Sequence, residues 1–326
     1  MLMSAFRPIK KWALLLFAAK FVQMPGRSVG YSEVILSPAE QEIAARVQHH
    51  VEHLASNIGE RNASHPSKLT LAADYIEQSL QESGYVVARE PLSDTKHGSN
   101  LIAELPGKSK HIFVVGAHYD TVLGSPGAND NGSGIAAMLE MARALRPLSP
   151  ELTLRFIAFA NEEHEGEPPQ SMGSFIYAQQ CKQRGEQIVA MWSLETLGFY
   201  SNEANSQKYP SPFDLFYPTR GNFLAFVGDE HSRNLVRKSV GIFRSFRGFP
   251  CEGVAAPDKL RDTTRSDNWG FRQAGYPALM VTDTANYRYP HYHAATDTSS
   301  QLTYPSLARV IRLLADTAKA IALEKT

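Results

Sequence analysis

The sequence predicts an α/β fold, a three-layer α/β/α sandwich in which helices cover both faces of a mixed but mostly parallel central sheet. Two observations support this prediction. Short apolar runs typical of buried strands alternate with longer segments in which apolar residues recur at helical spacing. Polar residues directly follow several of the predicted strands, as they do at the ligand-binding edge of an open α/β sheet.

The N-terminal half of the chain begins with a clear helix. Ser37 suits an N-cap, Pro38 suits the first helical position, and apolar residues follow at helical spacing up to Ile58. A second helix is predicted over residues 67–83, where Gly84 ends it. The next predicted elements are strands over residues 85–88 and 113–117 and a helix over residues 135–145.

The C-terminal half continues the alternation of strand-length apolar runs and amphipathic segments of helical length. Strands are predicted over residues 152–160, 188–194, 223–227 and 278–282, and helices over residues 173–183, 232–243 and 304–323. Between residues 199 and 218, prolines and aromatic residues replace any periodicity. Such a segment is too aromatic to be disordered, so we expect a long ordered loop within the domain.

The first polar cluster follows the predicted strand at residues 113–117. His118 and Asp120 come directly after it, and Asp130 follows across a Gly- and Pro-containing loop just before a predicted helix. Imidazole nitrogen and carboxylate oxygen are normal zinc ligands, and a carboxylate two residues beyond a histidine can fix its tautomer. The helix dipole would keep Asp130 ionised, as a ligand must be. An isolated pattern of this kind is more often an ordinary polar loop, so the prediction depends on further ligands.

Further candidate ligands follow the later predicted strands. They are Glu162 and Glu163 after residues 152–160, Glu195 after residues 188–194, and His293 after residues 278–282. Taken alone, the acidic stretch at 162–167 also fits a solvated loop. All candidates nevertheless point to one sheet edge, and together they exceed a single tetrahedral site. We therefore predict two metal ions that share a bridging carboxylate, with one of the adjacent glutamates left to accept a proton from water.

The composition is that of an ordinary soluble globular domain. The 326 residues are 43% hydrophobic and 20% charged, with 33 basic and 33 acidic residues. This balance gives no general attraction to nucleic acid, so no nucleic-acid partner is expected. The two cysteines, Cys181 and Cys251, indicate neither a cysteine zinc site nor a disulfide framework, and a single bridge between them stays open.

The N-terminus has some features of a targeting segment. Basic residues precede an apolar run at residues 12–19 that is of signal-peptide length but too short to span a bilayer. We expect residues 1–30 to be a signal or anchor segment and residues 31–326 to be the catalytic domain. The protein would then be periplasmic or secreted, or anchored to a membrane without a further span. Lys20 interrupts the run, so a cytoplasmic protein is the alternative.

The motifs around the candidate ligands resemble those of the co-catalytic zinc aminopeptidases and their carboxypeptidase relatives, a group that includes bacterial leucyl-type aminopeptidases and glutamate carboxypeptidase. The matching segments are GAHYD at residues 116–120, GANDNGSG at 127–134, NEE at 161–163, SDNWGF at 266–271 and YHAATDT at 292–298. With the two N-terminal helices, the resemblance covers nearly all of the chain after residue 35. It implies the phosphorylase/hydrolase-like zinc peptidase architecture.

The resemblance implies a centre with two Zn²⁺ ions per chain. His118, Asp130 and Glu195 would hold one ion. Asp130, Glu163 and His293 would hold the other, which makes Asp130 the bridging ligand. The residues alone do not decide which of the adjacent glutamates binds metal; that assignment comes from the resemblance.

The resemblance also assigns the catalytic roles. Glu162 would be the general base and later the proton donor to the leaving amine, and Asp120 would orient His118. The substrate would be a peptide, and the expected activity is that of an aminopeptidase that removes N-terminal residues. The side chain of the N-terminal residue would lie in a pocket lined in part by residues 199–226.

The chain departs from the family pattern at two places. Glu195 stands where most members have aspartate, and residues 165–170 add an acidic, proline-containing segment beside the site. Both departures bear on specificity and on the first zinc site. The candidates for recognising a substrate terminus are Arg265, Asp267, Tyr287, Arg288 and Tyr292.

Two other functions fit the same motifs. A single-zinc glutaminyl cyclase shares the fold and much of the motif set. The retained His118 favours the two-metal scheme over a cyclase, because a second metal that activates water is of no use to a cyclase. A non-catalytic binding ectodomain is the other alternative. Against it, every ligand position is still acidic or histidine, and clustered carboxylates without a metal would repel one another.

Overall fold

One eight-stranded sheet forms the middle layer of the protein in a computed structural model, which describes residues 21–92, 98–164, 166–211, 213–257 and 265–325. The strands are β1 (Val87–Pro91), β2 (Ser99–Leu105), β3 (His111–His118), β4 (Thr153–Phe159), β5 (Gln187–Glu195), β6 (Leu224–Asp229), β7 (Cys251–Ala256) and β8 (Ala278–Thr282). Residues 1–20, which contain the predicted apolar run, lie outside these ranges.

Seven α-helices lie in the described ranges. They are α1 (Pro38–Glu52), α2 (Pro66–Glu82), α3 (Gly134–Leu145), α4 (Gly173–Gln183), α5 (Arg233–Ser245), α6 (Asn268–Ala274) and α7 (Tyr304–Ala322). α1 begins as predicted: the Ser37 hydroxyl accepts the N–H of Glu40, and the Glu40 carboxylate accepts the N–H of Ser37. None of the helices in the described ranges is long and apolar enough to cross a membrane.

The sheet is mixed, with a parallel centre. Its strand order is β1-β2-β4-β3-β5-β8-β6-β7. β4, β3, β5 and β8 run parallel to one another, as do β6 and β7. β1, β2 and the β6–β8 junction are antiparallel. This confirms the predicted fold class.

Helices cover the two faces unequally. On one face, α1, α2, α3, α5 and α7 pack over side chains such as Phe113, Val115 and Trp192, which are fully buried. On the other face, α4 and α6 pack together over a smaller core that includes Val114 and Phe159. Toward β6 and β7 this second face is overlain by the aromatic segment predicted at residues 199–218, and a cavity remains between that segment and the sheet.

Two strands and one helix of the structure were not predicted. β2 is an antiparallel strand with little alternation, and β7 contains glycine and alanine, which have low strand propensity, so tertiary pairing rather than local sequence decides both. α6 is a seven-residue helix, too short to give a periodic signal. The first predicted strand also begins two residues later than expected, at Val87.

The described part of the N-terminal segment packs on the rest of the described chain. Phe21 is buried, and Arg244 of α5 donates to the carbonyl oxygens of Pro25 and Gly26. The Ser28 hydroxyl accepts the N–H of Cys251 at the start of β7. Residues 21–28 therefore lie against α5 and the edge of the sheet. Both Cys251 and Cys181 are buried and free, so the bridge left open by the sequence is not formed.

Candidate metal centre

The carboxyl edge of the sheet brings the predicted ligands together. His118 and Glu195 are the last residues of β3 and β5, and Glu162 and Glu163 follow β4 by a few residues. Two groups of side chains have potential ligand atoms within 4.8 Å of one another: His118, Glu162 and Glu195 form one, and His118, Asp130 and Glu163 form the other.

His118 is oriented from both of its ring nitrogens. Its Nε2 lies 3.1 Å from Oε2 of Glu195 and 3.3 Å from Oδ1 of Asp130. Its Nδ1 lies 3.2 Å from the backbone carbonyl oxygen of Asp120 and 3.6 Å from the carboxylate of the same residue. A carbonyl acceptor at Nδ1 favours the tautomer that leaves Nε2 free to bind a metal.

His293 lies on the opposite side of the cluster. Its Nε2 is 3.0 Å from Oδ2 of Asp130 and 3.2 Å from Oε1 of Glu163. The ring of Tyr292 stacks on the imidazole with the centroids 3.9 Å apart. The backbone of His293 has a φ of 56°, in the left-handed region that is uncommon for residues other than glycine. The turn thus aims the imidazole at the carboxylates.

Asp130 stands between the two imidazoles. It is 3% exposed, and neither carboxylate oxygen accepts a well-aligned hydrogen bond from the described residues, although each lies at ion-pair distance from one imidazole. One oxygen faces Nε2 of His118 and the other faces Nε2 of His293. Buried carboxylate oxygens normally accept aligned hydrogen bonds, so two oxygens that each face an imidazole nitrogen without such a bond fit a carboxylate that bridges two metal ions.

The two imidazoles influence the ionisation of Asp130. Burial opposes ionisation, yet the imidazoles of His118 and His293 lower the pKa of the carboxyl group below its usual value. α3 begins at Gly134 and Asp130 itself has non-helical backbone angles, so the predicted contribution of the helix dipole stays a prediction.

The Asp120 carboxylate has a role in the backbone around it. It accepts the backbone N–H of Glu162 at 3.1 Å and that of Glu163 at 3.0 Å. Asp120 therefore fixes the turn after β4 as well as lying beside His118. The turn directs Glu163 toward His293 and Glu162 toward His118 and Glu195.

The electrostatics of the cluster favour a bound cation. Burial, opposed by His118 and reinforced by Glu163, raises the pKa of Glu162 well above its usual value. Burial would lower the pKa of His118, but the carboxylates of Glu162 and Glu195 raise it. Each shift reflects negative charge that is crowded into a buried space. A divalent cation at this place would compensate that charge.

Three supporting residues escaped the site prediction. Ser266 donates its hydroxyl to Oε2 of Glu195 at 2.7 Å. Asp297 accepts the backbone N–H groups of Asn129 and Asp130 at 2.8 and 3.1 Å. Ser266 and Asp297 lie inside the motifs SDNWGF and YHAATDT, and this position in the motifs was the sequence signal that could have identified them.

Arg61 is the third supporting residue. It is fully buried and donates to the backbone carbonyl oxygens of Tyr119, Pro126 and Gly127. These bonds hold both ends of the loop that carries Asp130. No sequence signal pointed to Arg61, because its partners are backbone carbonyl oxygens, and the three on the Asp130 loop are about 60 residues along the chain.

A cavity of about 240 Å³ opens beside the cluster of candidate metal ligands, called the metal cluster below. Asp130, Glu163 and Glu195 lie at one side of it, and Tyr209 and Phe213 form part of its aromatic wall. This is the place where the sequence predicted a pocket. Tyr292, Arg265 and Tyr287 also line the cavity, whereas Arg288 is buried over the ring of Phe223 and Asp267 is buried at the start of α6.

The chain matches the model of "Peptidase family M28" over residues 100–318. It is 31% identical over 272 residues to the uncharacterized protein YfbL of Escherichia coli, which covers 80% of this chain and 83% of that protein. A probable leucine aminopeptidase of Trichophyton verrucosum is 27% identical over 246 residues, which are 71% of this chain and 60% of the length of the fungal protein.

Solved structures show the same fold. The zinc aminopeptidase BSAP of Bacillus subtilis superposes with a TM-score of 0.68 at 17% identity, covering 86% of this chain and 95% of that structure. The glutaminyl cyclase of Porphyromonas gingivalis superposes with a TM-score of 0.64 at 17% identity, covering 85% of this chain and 98% of that structure. At these identities the likeness concerns the fold alone. The family match and the YfbL relationship establish that the chain belongs to peptidase family M28.

Proposed function

We propose that this peptidase-family protein is a two-zinc aminopeptidase, which removes the N-terminal residue of a peptide. The observation that carries the proposal is the position of Asp130, whose two oxygens face the Nε2 atoms of two different imidazoles at 3.3 and 3.0 Å. A single carboxylate in this position suits a pair of metal ions better than one ion. The proposal also agrees with two similar proteins, a probable leucine aminopeptidase and a zinc aminopeptidase.

The donor set divides into two halves around Asp130. His118 and Glu195 lie beside one of its oxygens and would hold one zinc ion, and Glu163 and His293 lie beside the other and would hold the second. Zinc, when bound, polarises the scissile carbonyl group and lowers the pKa of water toward neutrality. Glu195 serves in place of the family's aspartate, since its carboxylate still reaches His118 and is fixed there by Ser266.

Glu162 is the proton carrier in this proposal. Its carboxylate is nearly buried beside His118 and Glu195, whereas the neighbouring Glu163 pairs with His293. It would take a proton from the attacking water and give it to the amine that leaves. Burial raises the pKa of Glu162, which suits a group that must both accept and release a proton.

The proposal of an aminopeptidase activity rests on the cavity next to the candidate metal ligands. The cavity lies against Asp130 and Glu195 and is closed on its far sides by aromatic side chains and the sheet. It suits one side chain of a substrate whose scissile bond lies at the cluster. A free amine next to that bond would meet the carboxylates of the cluster, which favour a cation.

The glutaminyl cyclase remains the main rival within this fold. The present chain keeps the His118–Glu195 pair at 3.1 Å, which a single-metal enzyme does not require. A non-catalytic binding protein is less compatible with the site, because its buried carboxylates repel one another unless a cation is present.

The proposal is tested with matched blocked and unblocked substrates. Purified protein is assayed against aminoacyl 4-nitroanilides, their N-acetylated counterparts and a peptide with N-terminal glutamine, and Glu162→Gln purified in parallel controls for contaminating peptidases. Cleavage of the unblocked anilides alone is expected. Cyclisation of the glutaminyl peptide without anilide cleavage, or equal cleavage of the blocked substrates, would contradict the proposal.

We also propose that the protein is exported. The basic residues and apolar run within residues 1–20 support this proposal. Because residues 21–28 pack on the rest of the described chain, we expect a processing site before or close to Phe21. Cell fractionation followed by N-terminal sequencing tests it. Full-length protein in the cytosol would contradict it.

A further inference from the structure

One row of residues runs across the sheet from the metal cluster to the far end of the cavity. Glu195 of β5 pairs in register with Thr282 of β8, Thr282 with Ala225 of β6, and Ala225 with Glu252 of β7. Residues paired in this way point to the same face of a sheet, and all four line the cavity. Neighbouring strands lie about 4.8 Å apart, so the Cα atoms of Glu195 and Glu252 are separated by roughly 14 Å.

The cavity therefore has a carboxylate at each end of a mostly apolar floor. Between the two glutamates the floor is made of Thr282 and Ala225, whose small side chains leave the space open. A substrate whose scissile bond lies at the metal cluster would extend its first side chain along this floor toward Glu252.

Glu252 is held in place from behind. Its Oε2 accepts a hydrogen bond from Nη2 of Arg244 at 2.8 Å, and the Ser28 hydroxyl also stabilises the ionised form. Arg244 in turn donates to the carbonyl oxygens of Cys251, Pro25 and Gly26. The guanidinium group of Arg244 is thus shared among several acceptors, so it compensates only part of the negative charge of the Glu252 carboxylate.

The Glu252 side chain still faces the cavity. It keeps 18% of its exposure, and it is among the residues that line the space. An ionised carboxylate offers about four lone-pair sites, more than the Arg244 and Ser28 contacts use. Burial raises the pKa of Glu252 in spite of Arg244, so a further hydrogen-bond donor would stabilise the carboxylate.

The wall opposite the floor is aromatic and fixed. Tyr209 and Tyr217 stack with their ring centroids 5.6 Å apart, and the Tyr217 hydroxyl donates to the carbonyl oxygen of Gly253, next to Glu252. These rings would contact the stem of a long side chain or the ring of an aromatic one. They supply apolar contact, and Glu252 supplies the polar partner at the end.

We propose that Glu252 makes the cavity selective for N-terminal residues whose long side chain ends in a hydrogen-bond donor, as in lysine, arginine and tyrosine. This inference rests on the proposed aminopeptidase function. The shared chemistry is an N–H or O–H group at the end of an otherwise apolar side chain. An apolar side chain of the same length would desolvate the cavity-facing part of the Glu252 carboxylate without adding a hydrogen-bond donor, and such a mismatch is what makes polar pockets discriminate.

The test compares pairs of substrates that differ only in the donor. Lysyl and norleucyl 4-nitroanilides form one pair, and tyrosyl and phenylalanyl 4-nitroanilides form the other. The wild type is expected to prefer the donor-bearing member of at least one pair. Glu252→Leu should reduce that preference, measured as the ratio of kcat/KM values, by about 10- to 100-fold, because it removes a hydrogen bond to a charged group.

Two variants support this comparison. Glu252→Gln keeps the size of the side chain and an acceptor oxygen but removes the charge, so the lysyl preference should fall more than the tyrosyl preference. If Glu252→Leu does not fold, Glu252→Gln takes its place in the comparison. Glu186→Gln is the matched control, since Glu186 forms a half-buried ion pair with Arg155 away from the cavity. This control should leave both ratios unchanged.

A binding measurement makes the inference independent of turnover. The dissociation constants of L-lysine and L-norleucine are measured by calorimetry on the zinc-loaded wild type and Glu252→Leu. Tighter binding of lysine that is lost in the variant is expected. Equal binding of the two amino acids, or no binding of either, overturns the role of Glu252. A wild-type protein that binds lysine selectively but cleaves no aminoacyl anilide would instead contradict the proposed aminopeptidase function.

Discussion

The Asp120 carboxylate fixes the backbone of Glu163: its Oδ2 accepts the Glu163 N–H at 3.0 Å, and its Oδ1 accepts the N–H of Glu162 at 3.1 Å. One side chain thereby sets the direction of both glutamates. The same residue also lies beside Nδ1 of His118. Asp120 therefore connects His118, the candidate metal ligand on β3, to the turn after β4.

Asp120→Asn should weaken this arrangement without unfolding the protein. An amide can accept only one of the two N–H groups, because its NH₂ end is a donor. We expect metal affinity or activity to fall about 10- to 100-fold, as is typical when a supporting partner of a ligand is lost. Zinc affinity measured with a competing chelator checks this, with the exposed Asp74→Asn as control. Wild-type affinity and activity in Asp120→Asn would contradict the role.

Ser266→Ala should affect one half of the metal centre. Ser266 donates to Oε2 of Glu195, the same oxygen that approaches His118. Without this bond, Glu195 gains rotamer freedom, so the zinc ion on its side should bind more weakly by about tenfold. Stepwise zinc titration measures each site separately. The control is Ser239→Ala, where the lost hydroxyl accepts from Trp192 on the other face of the sheet. Equal weakening by both changes would argue against a local effect.

Glu162→Gln should separate metal binding from turnover. Glutamine keeps the shape of the side chain but cannot accept a proton in the way a carboxylate does. We expect zinc content to stay at the wild-type level while kcat falls by about 10²- to 10⁴-fold, the usual contribution of general acid–base catalysis. Elemental analysis and anilide assays on the same preparation check both parts. Near-normal kcat in this variant would exclude Glu162 as the proton carrier.

Glu40→Gln should destabilise the protein at neutral pH. Glu40 is 2% exposed and binds Arg309 and Arg312, and although burial opposes ionisation, these partners and Ser37 lower its pKa to about 2. A lowered folded-state pKa gives stability that is present above the unfolded-state value and is lost as pH falls toward the folded-state value.

The pH dependence of this variant has a definite direction. The cost of Glu40→Gln should be of the order of 2 kcal/mol at pH 7 and should shrink as the pH falls from about 4.5 toward 2. Urea unfolding at several pH values measures it. Glu42→Gln, which removes an exposed carboxylate from the same helix, is the control and should cost little. A cost for Glu40→Gln that does not change with pH would contradict this explanation.

The sequence predicted the centre of the site better than its surroundings. His118, Asp130, Glu163 and His293 are brought together because strand ends meet at one sheet edge, which the order of strands makes foreseeable. Ser266 is different, because its importance comes from one hydrogen bond to Glu195 that no local pattern encodes.

The cavity was predicted only in part. The pocket was expected to be lined in part by residues 199–226, and Tyr209 and Phe213 do line it. The floor depends on β7, whose sequence has weak strand propensity and which forms by pairing with β6. Since that strand was not predicted, the register that places Glu252 in line with Glu195 was not predictable either.

The number of zinc ions per chain tests the central claim most directly. Protein purified in the presence of zinc and then freed of loosely bound metal is analysed for zinc and for protein on the same sample. The bridging position of Asp130 predicts two ions per chain. A value of one would mean that His118 and Glu195 do not complete a second site, and the two-zinc aminopeptidase would be contradicted.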